Sequence, residues 1–313
     1  MPDSICREDA DTALLRLAEA VRATGYSFTT PTPATHARVV ARPGRHWART
    51  LRDVLGWSLP FRPGTLPGPI EAALHEAGVL EPEGEGFRAT LRFSTLDGLL
   101  FAHSAYPTTA PDAVFFGPDT YRFARAIQAH PRPDVGRAAD IGCGAGPGAI
   151  LLARAQPEAE ILALDINERA LRLTRVNAAL NGVRLEARRS DLLDGTEGRF
   201  DLLVANPPYL VDPASRAYRH GGGPLGAGLS LRILQAAMDR LAPGGTLLLY
   251  TGAAIIDGAD PFRAAAEARL RGAPFLWSYE EIDPDVFGEE LDAGPYTEAD
   301  RIAAVLLTIS KQG

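Results

Sequence analysis

Four consecutive residues, Asn206-Pro207-Pro208-Tyr209, follow the apolar run Phe200-Asp-Leu-Leu-Val-Ala205 and collect groups that can handle a flat nitrogen. The Asn206 side-chain oxygen and the Pro207 carbonyl can both accept hydrogen bonds from an NH2 group. That holds the nitrogen in line for attack and favours electron density on it as a bond forms. The two prolines stiffen the segment and leave their carbonyls free of local structure. Tyr209 can stack on a planar acceptor. Asn206, Pro207 and Tyr209 are therefore the candidate catalytic residues. Taken alone, the same tetrapeptide also fits a proline-rich loop that leaves a strand through an Asn turn.

A second element lies upstream in Asp140-Ile-Gly-Cys-Gly-Ala-Gly-Pro-Gly148. Gly142, Gly144 and Gly146 supply a turn at the carboxyl end of an expected strand, where backbone can approach a ligand closely. Gly144-Ala-Gly146-Pro-Gly-Ala149 also fits the dinucleotide pattern, which keeps NAD as a rival. Asp140 favours a cationic ligand group there and would repel a pyrophosphate. Asp165 closes the next strand, where a carboxylate can accept both ribose hydroxyls, and Asp191 follows the third. Each Asp alone could be a turn or helix-cap residue. Their joint placement at the ends of three successive strands points to a cofactor site.

The elements that position these residues show in the periodicity. Leu14, Leu17, Ala18 and Val21 recur at helical spacing up to Gly25. Trp47, Leu51, Val54 and Leu55 predict a second helix with Arg45, Arg49 and Arg52 opposite, and a third helix falls at 68 to 77. Phe87, Ala89, Leu91 and Phe93 alternate with polar residues, and Asp97-Gly98 turns this strand into another at 99 to 103. Helices followed by a hairpin predict a small α+β, winged-helix-like N-terminal domain over residues 1–108. From about 115 strands and helices alternate, the signature of a doubly wound α/β domain over 109–313. Strands are expected near 136–141, 160–166, 183–189, 200–206 and 246–251, with helices near 119–130, 147–155, 167–181 and 228–241. Two further β-like runs, 275–279 and 302–309, flank an acidic insert.

Together the two motifs resemble the class I S-adenosylmethionine (SAM)-dependent methyltransferases that carry Asn-Pro-Pro-Tyr, and among these the protein-glutamine methyltransferases that modify release factors. The resemblance covers roughly residues 115 to 255. Gly117-Pro-Asp-Thr120 is similar to that family's Pro-x-Thr element, and Leu241-Ala-Pro-Gly-Gly-Thr-Leu247 to its usual turn into the next strand. It implies a Rossmann-like sheet, SAM as cofactor, and contacts to SAM from Pro118, Thr120, Asp140, Gly142, Gly144, Gly146, Asp165, Ile166, Asp191, Leu192 and Asn206. Within it, Asp191 takes the adenine amine. The implied partner is a protein that presents a glutamine side chain, such as a release factor. Departures are Phe115-Phe-Gly117 where the family has a basic lead-in, the Gly-rich segment 221–228, the acidic insert 280–300 and the N-terminal hairpin. Three alternatives stay open: an exocyclic amine of RNA or DNA, a small-molecule amine, or a non-catalytic binding protein that keeps the fold.

Composition bounds the rest. The chain has 313 residues and a net charge of −7, which disfavours coating nucleic acid by bulk electrostatics. Charge is uneven: residues 31–64 carry Arg38, Arg42, Arg45, Arg49, Arg52 and Arg62 against Asp53 alone, whereas 280–300 hold nine acids and no Lys or Arg. No apolar run approaches the roughly 18 residues that span a bilayer, the first residues lack a signal pattern, and Cys6 and Cys143 fit a reducing compartment. A cytoplasmic location without a membrane partner is expected. His36, His46, His75, His103, His130 and His220 show no metal-ligand spacing, so no metal is expected and surface or capping roles are.

Overall fold

The computed structural model describes residues 2–212, 216, 218–292 and 294–313, with side chains from residue 10 onward. Helix α1 (Pro2–Ala23) buries Leu14, Leu17, Ala18 and Val21, the face its periodicity predicts. Three shorter helices follow: α2 (Pro33–Val40), α3 (Leu51–Leu55) and α4 (Gly68–Glu76). Strands β1 (Leu80–Glu83) and β2 (Gly86–Ala89) form one hairpin, and β3 (Leu91–Leu96) and β4 (Leu99–Ser104) another through Asp97-Gly98.

Two expectations for this region change. Thr50 and Asp53 form a reciprocal capping box, which fixes the start of α3 at Leu51. Arg45 and Arg49 therefore precede the helix, Arg45 pairs with Asp53 at 2.8 Å, and Arg38 belongs to α2, so no single helical arginine face exists. The alternating run from Phe87 to Phe93 is two strands. It breaks at Thr90, whose N–H donates to Val79 and whose carbonyl accepts from Ala105. Its first half pairs with β1 and its second with β4, so two hairpins replace the one expected of a winged helix. Neither α2 nor the four-residue β1 was legible in the apolar pattern.

The rest of the chain builds one seven-stranded sheet. Its elements are α5 (Pro118–Ala129), β5 (Arg137–Ile141), α6 (Pro147–Ala155), β6 (Glu160–Asp165), α7 (Glu168–Leu180), β7 (Glu186–Arg189), β8 (Phe200–Ala205), α8 (Gly228–Arg240), β9 (Leu241–Ile255), α9 (Pro261–Leu270), β10 (Phe275–Asp283) and β11 (Arg301–Lys311). The strand order is β10-β11-β9-β8-β5-β6-β7. Strands β5 to β9 run parallel and β11 runs against β9 and β10. This is a Rossmann-like α/β sheet. Buried on both faces, β8 is nearly all apolar, as central parallel strands must be. The order reverses between β5 and β8, which opens a crevice at their carboxyl ends. Helix α9 and the full length of β9 were not expected. The acidic stretch starts inside β10 and continues in short turns, and its acids meet arginines: Glu281 with Arg301 at 3.0 Å, Asp283 with Arg122 at 2.7 Å, and Glu290 with Arg219. Among the described residues no helix is long and apolar enough to cross a membrane.

Helix α7 joins the two regions. The fully buried Asn177 accepts from Ala102 N (2.8 Å) and donates to Ala102 O (3.0 Å) and Ala145 O (2.8 Å), so one amide ties the edge of β4 to the glycine turn. Asn181 repeats the pattern at Leu100. One apolar core continues across this seam, from Leu14 and Leu17 through Phe93 and Phe101 to Phe116, Ala145 and Leu173.

Candidate active site

The glycine turn leaves β5 at the switch point. Gly142, Gly144 and Gly146 take φ of +74°, +56° and +83°, the left-handed region that costs glycine little. Leu164 O accepts from Gly142 N at 2.8 Å and from Cys143 N at 2.9 Å, which ties the turn to β6. Gly142 and Gly144 line a cleft of about 220 Å³, but Gly146 stands behind it, where an added Cβ would meet Thr174 at 2.8 Å.

Each carboxylate at the strand ends has a protein partner. Asp140 is fully buried, and its Oδ2 accepts from Ala149 N at 2.9 Å in the first turn of α6. Burial, with the charge of Asp165 adding, raises its pKa to about 7. The charge expected to face a cation in the cleft thus also answers the positive end of α6. Asp165 accepts from Gly144 N (3.0 Å) and Asn167 N (2.9 Å), and burial raises its pKa. Each of its oxygens keeps a lone pair for a ligand hydroxyl. Asp191 is exposed and held by Arg232, whose Nη2 lies 3.0 Å from both oxygens. A ligand amine would have to compete with that exposed pair, which is worth no more than about 1 kcal/mol. Ile166, 54% exposed, and Leu192 add apolar surface to the cleft. Thr120 lines it while its Oγ1 accepts from Gly117 N at 3.2 Å; Pro118, at the start of α5, is not among the lining residues.

Asn206, Pro207 and Tyr209 line the same cleft from the end of β8. Among the described residues no hydrogen bond engages the Asn206 side chain, so its amide oxygen is free for an acceptor. Tyr209 differs from expectation. Its ring lies on the backbone of β9 at Gly252, where an added Cβ would sit 2.2 Å from ring carbons, and it meets Phe287 edge-on at 5.8 Å. Its hydroxyl donates to Asp119 Oδ2 at 2.8 Å, Tyr250 donates to Asp119 Oδ1 at 2.8 Å, and Arg122 adds a contact to Oδ1 at 3.2 Å. So the ring has no free face for stacking; it anchors the loop. Other aromatic rings line the cleft: Phe115 and Tyr218, nearly parallel with centroids 6.4 Å apart, together with Phe123 and Phe287.

Residues 122–254, which hold both motifs, match the family model described as methyltransferase small domain. A release factor glutamine methyltransferase of Deinococcus radiodurans is 36% identical over 176 residues, which cover 53% of this chain and 59% of that relative. Another, from Neisseria gonorrhoeae, is 35% identical over 204 residues, 60% of this chain and 71% of the relative. The chain belongs to this family of class I methyltransferases. A ribosomal protein uL3 glutamine methyltransferase of Neisseria gonorrhoeae is 33% identical over 155 residues, 46% of this chain and 49% of the relative. The chain thus spans less than two thirds of the length of two of these three relatives.

In this family member the sequence motifs missed the anchor beneath the Asn-Pro-Pro-Tyr loop. Asp119 is the middle residue of the Pro-x-Thr element, and no spacing marks it as a partner of Tyr209. Tyr250 is a polar tip inside the apolar run of β9. Gly252 carried the clearest signal, since a glycine inside a strand often marks a close approach. His36 and His103, expected at surfaces or caps, are both buried, whereas His130 caps α5 through Ala126 O at 2.8 Å.

Proposed function

We propose that the chain transfers a methyl group from SAM to the side-chain amide nitrogen of a protein glutamine. Residues 109–313 are the catalytic unit and residues 1–108 recognise the acceptor. The observation that carries this reading is the meeting of the Asn206-Pro207-Pro208-Tyr209 loop and the glycine turn in one cleft. The cleft fits the cofactor: a turn without side chains at Gly142 and Gly144, carboxylates at Asp165 and Asp191 for hydroxyl and amine groups, apolar surface at Ile166 and Leu192, and the buried acid Asp140. When bound, SAM would supply a methyl group activated by its sulfonium and leave as S-adenosylhomocysteine, and the amide nitrogen would give up one proton to water.

The chain's own work is to place the acceptor. Asn206 Oδ1 and the Pro207 carbonyl accept the two N–H groups of the glutamine amide. Fixed acceptors beside those hydrogens favour charge on the nitrogen as the bond forms, which counters the delocalisation that makes an amide a poor nucleophile. The anchored Tyr209 ring keeps the loop in position. Glutamine is the acceptor named for the three relatives above, and a release factor is the protein named for two of them. The net charge of −7 and the dispersed arginines favour a protein acceptor over nucleic acid.

Purified protein with tritium-labelled SAM should pass label to a release factor, and hydrolysis of the product should release methylamine from the side-chain amide. Asn206→Ala should lower that rate about 10²–10³-fold while calorimetry shows unchanged SAM affinity. Label entering only RNA would overturn the reading.

A further inference from the structure

The N-terminal region buries a positive charge that no carboxylate among the described residues neutralises. Arg92, on β3, is 4% exposed. The charged or ionisable groups that act on it most are the phenols of Tyr26, Tyr106 and Tyr121, and no carboxylate pairs with it among the described residues. Burial lowers its pKa only to about 10, so it is a cation at neutral pH. The Phe28 ring lies 5.6 Å from its guanidinium and offsets part of the lost hydration. An unpaired buried cation is still costly, because its lost hydration is not repaid.

The surrounding hydrogen bonds have a fixed sense. Arg92 can only donate, so Thr30 Oγ1 accepts from its Nη2 at 2.9 Å. His103 Nδ1 faces the Ser104 carbonyl at 3.1 Å and must donate, which makes its Nε2 the acceptor of the Ser94 hydroxyl at 2.8 Å. Thr30 therefore gives its hydrogen to Ser94. Every hydroxyl of this chain is used, and it neither supplies a negative charge nor satisfies Arg92 Nε, which is buried without a partner.

His36, on α2, is in the same position. It is 1% exposed, the Trp57 backbone acts on its ring but neither nitrogen makes a hydrogen bond of ordinary geometry among the described residues, and the ring is held by Tyr106 at 4.0 Å and Trp57 at 5.3 Å. Burial, with Arg92 adding, lowers its pKa to about 4, so at neutral pH it offers one N–H. Arg92 and His36 line one small cavity of about 20 Å³ with His103, Ser104, Tyr106 and Thr108. That is more than one water needs. Its walls Pro33 and Phe115 are also walls of the catalytic cleft.

We propose that this cavity is a binding site for a single monoanion of halide size, held by the Arg92 guanidinium and the N–H of His36. Water could satisfy the orphaned nitrogens, but only an anion also neutralises the guanidinium. The site holds together α2, β3 and the segment that carries Phe115, so its occupant stabilises one wall of the cleft. This inference does not depend on the identity of the methyl acceptor.

Thermal melting of the whole chain in sodium chloride and in sodium bromide tests it. Ionic strength is held with sodium gluconate, whose anion is too large for the cavity. The melting temperature should rise along a saturating curve, by at least about 2 °C at saturation, with a parallel change in tryptophan emission because Trp57 touches His36. Arg92→Met should abolish both responses, and Arg62→Met, an exposed arginine over Trp47, should keep them. If Arg92→Met does not fold, His36→Phe decides: half-saturation should move at least threefold higher. A flat curve in the wild type, or equal responses in the wild type and the variant of the cavity, would overturn the proposal.

Discussion

Two buried ionisable groups, in the two halves of the molecule, are treated in opposite ways. Asp119 beneath the Asn-Pro-Pro-Tyr loop receives Tyr209, Tyr250 and Arg122, and Arg122 is itself paired with Asp283. Among the described residues, Arg92 beside the cleft receives no counter-charge, and His36 next to it no hydrogen bond of ordinary geometry. A completed network is rigid, and rigidity is what a loop needs if it must hold an amide nitrogen in line. An incomplete one keeps its binding capacity for something that arrives from outside. Burial alone does not distinguish the two; the count of partners does.

The contrast breaks most sharply at Asp119. Asp119→Ala leaves two buried tyrosine hydroxyls and part of Arg122 without an acceptor, and should cost about 2–5 kcal/mol in urea unfolding. A loss under about 1 kcal/mol would mean that water replaces the carboxylate and that the anchor is loose.

Next comes a pair of opposed pH dependences. Asp140 has its folded pKa raised to about 7, so the folded state keeps a proton that the unfolded chain releases near pH 4, and this term weakens stability as pH rises between those values. His36 is depressed to about 4, so the unfolded chain binds the extra proton up to about pH 6.5, and its term strengthens stability as pH rises through that window. Relative to wild type, Asp140→Asn should therefore gain stability from pH 4 to 7 and His36→Phe should lose it. Parallel profiles for the two variants would contradict the burial of one or both groups.

Gly252→Ala should be smaller in stability and clear in activity. The added Cβ must push the Tyr209 ring off β9, at about 1–3 kcal/mol for an overpacked site, and turnover should fall while SAM affinity holds. Mildest is Tyr209→Phe, which removes one of three donors to Asp119 and should cost about 1–2 kcal/mol with most of the rate retained. Were the ring instead an open stacking platform, Tyr209→Phe would be silent and Gly252→Ala harmless.

The sheet was legible because buried parallel strands are nearly continuous apolar runs, and Ile161–Leu164, Ala138–Ile141 apart from Asp140, and Phe200–Ala205 apart from Asp201 carry that pattern. The order of these strands put the glycine turn and the Asn-Pro-Pro-Tyr loop at one crevice, so Gly142, Gly144, Asp165, Asn206 and Pro207 could be named from their positions after strands. The N-terminal region beyond α1 was harder. Its other helices are short, α3 is set by a cap and not by an apolar face, and the break at Thr90 is made by hydrogen bonds to Val79 and Ala105 that no alternation records.

What the sequence determined by itself is the local chemistry: which residues end strands, where glycine frees the backbone, and where an amide oxygen stands beside two stiffening prolines. Only the tertiary structure decided which of these groups remain free. Tyr209 and Asp119 are 90 residues apart, as Arg92 and Thr30 are 62 apart, and whether a buried polar atom is satisfied depends on partners that arrive from such distances. Hydrogen bonding requires contact at about 3 Å, and contact between remote segments is settled by packing, which no local pattern of residues can specify.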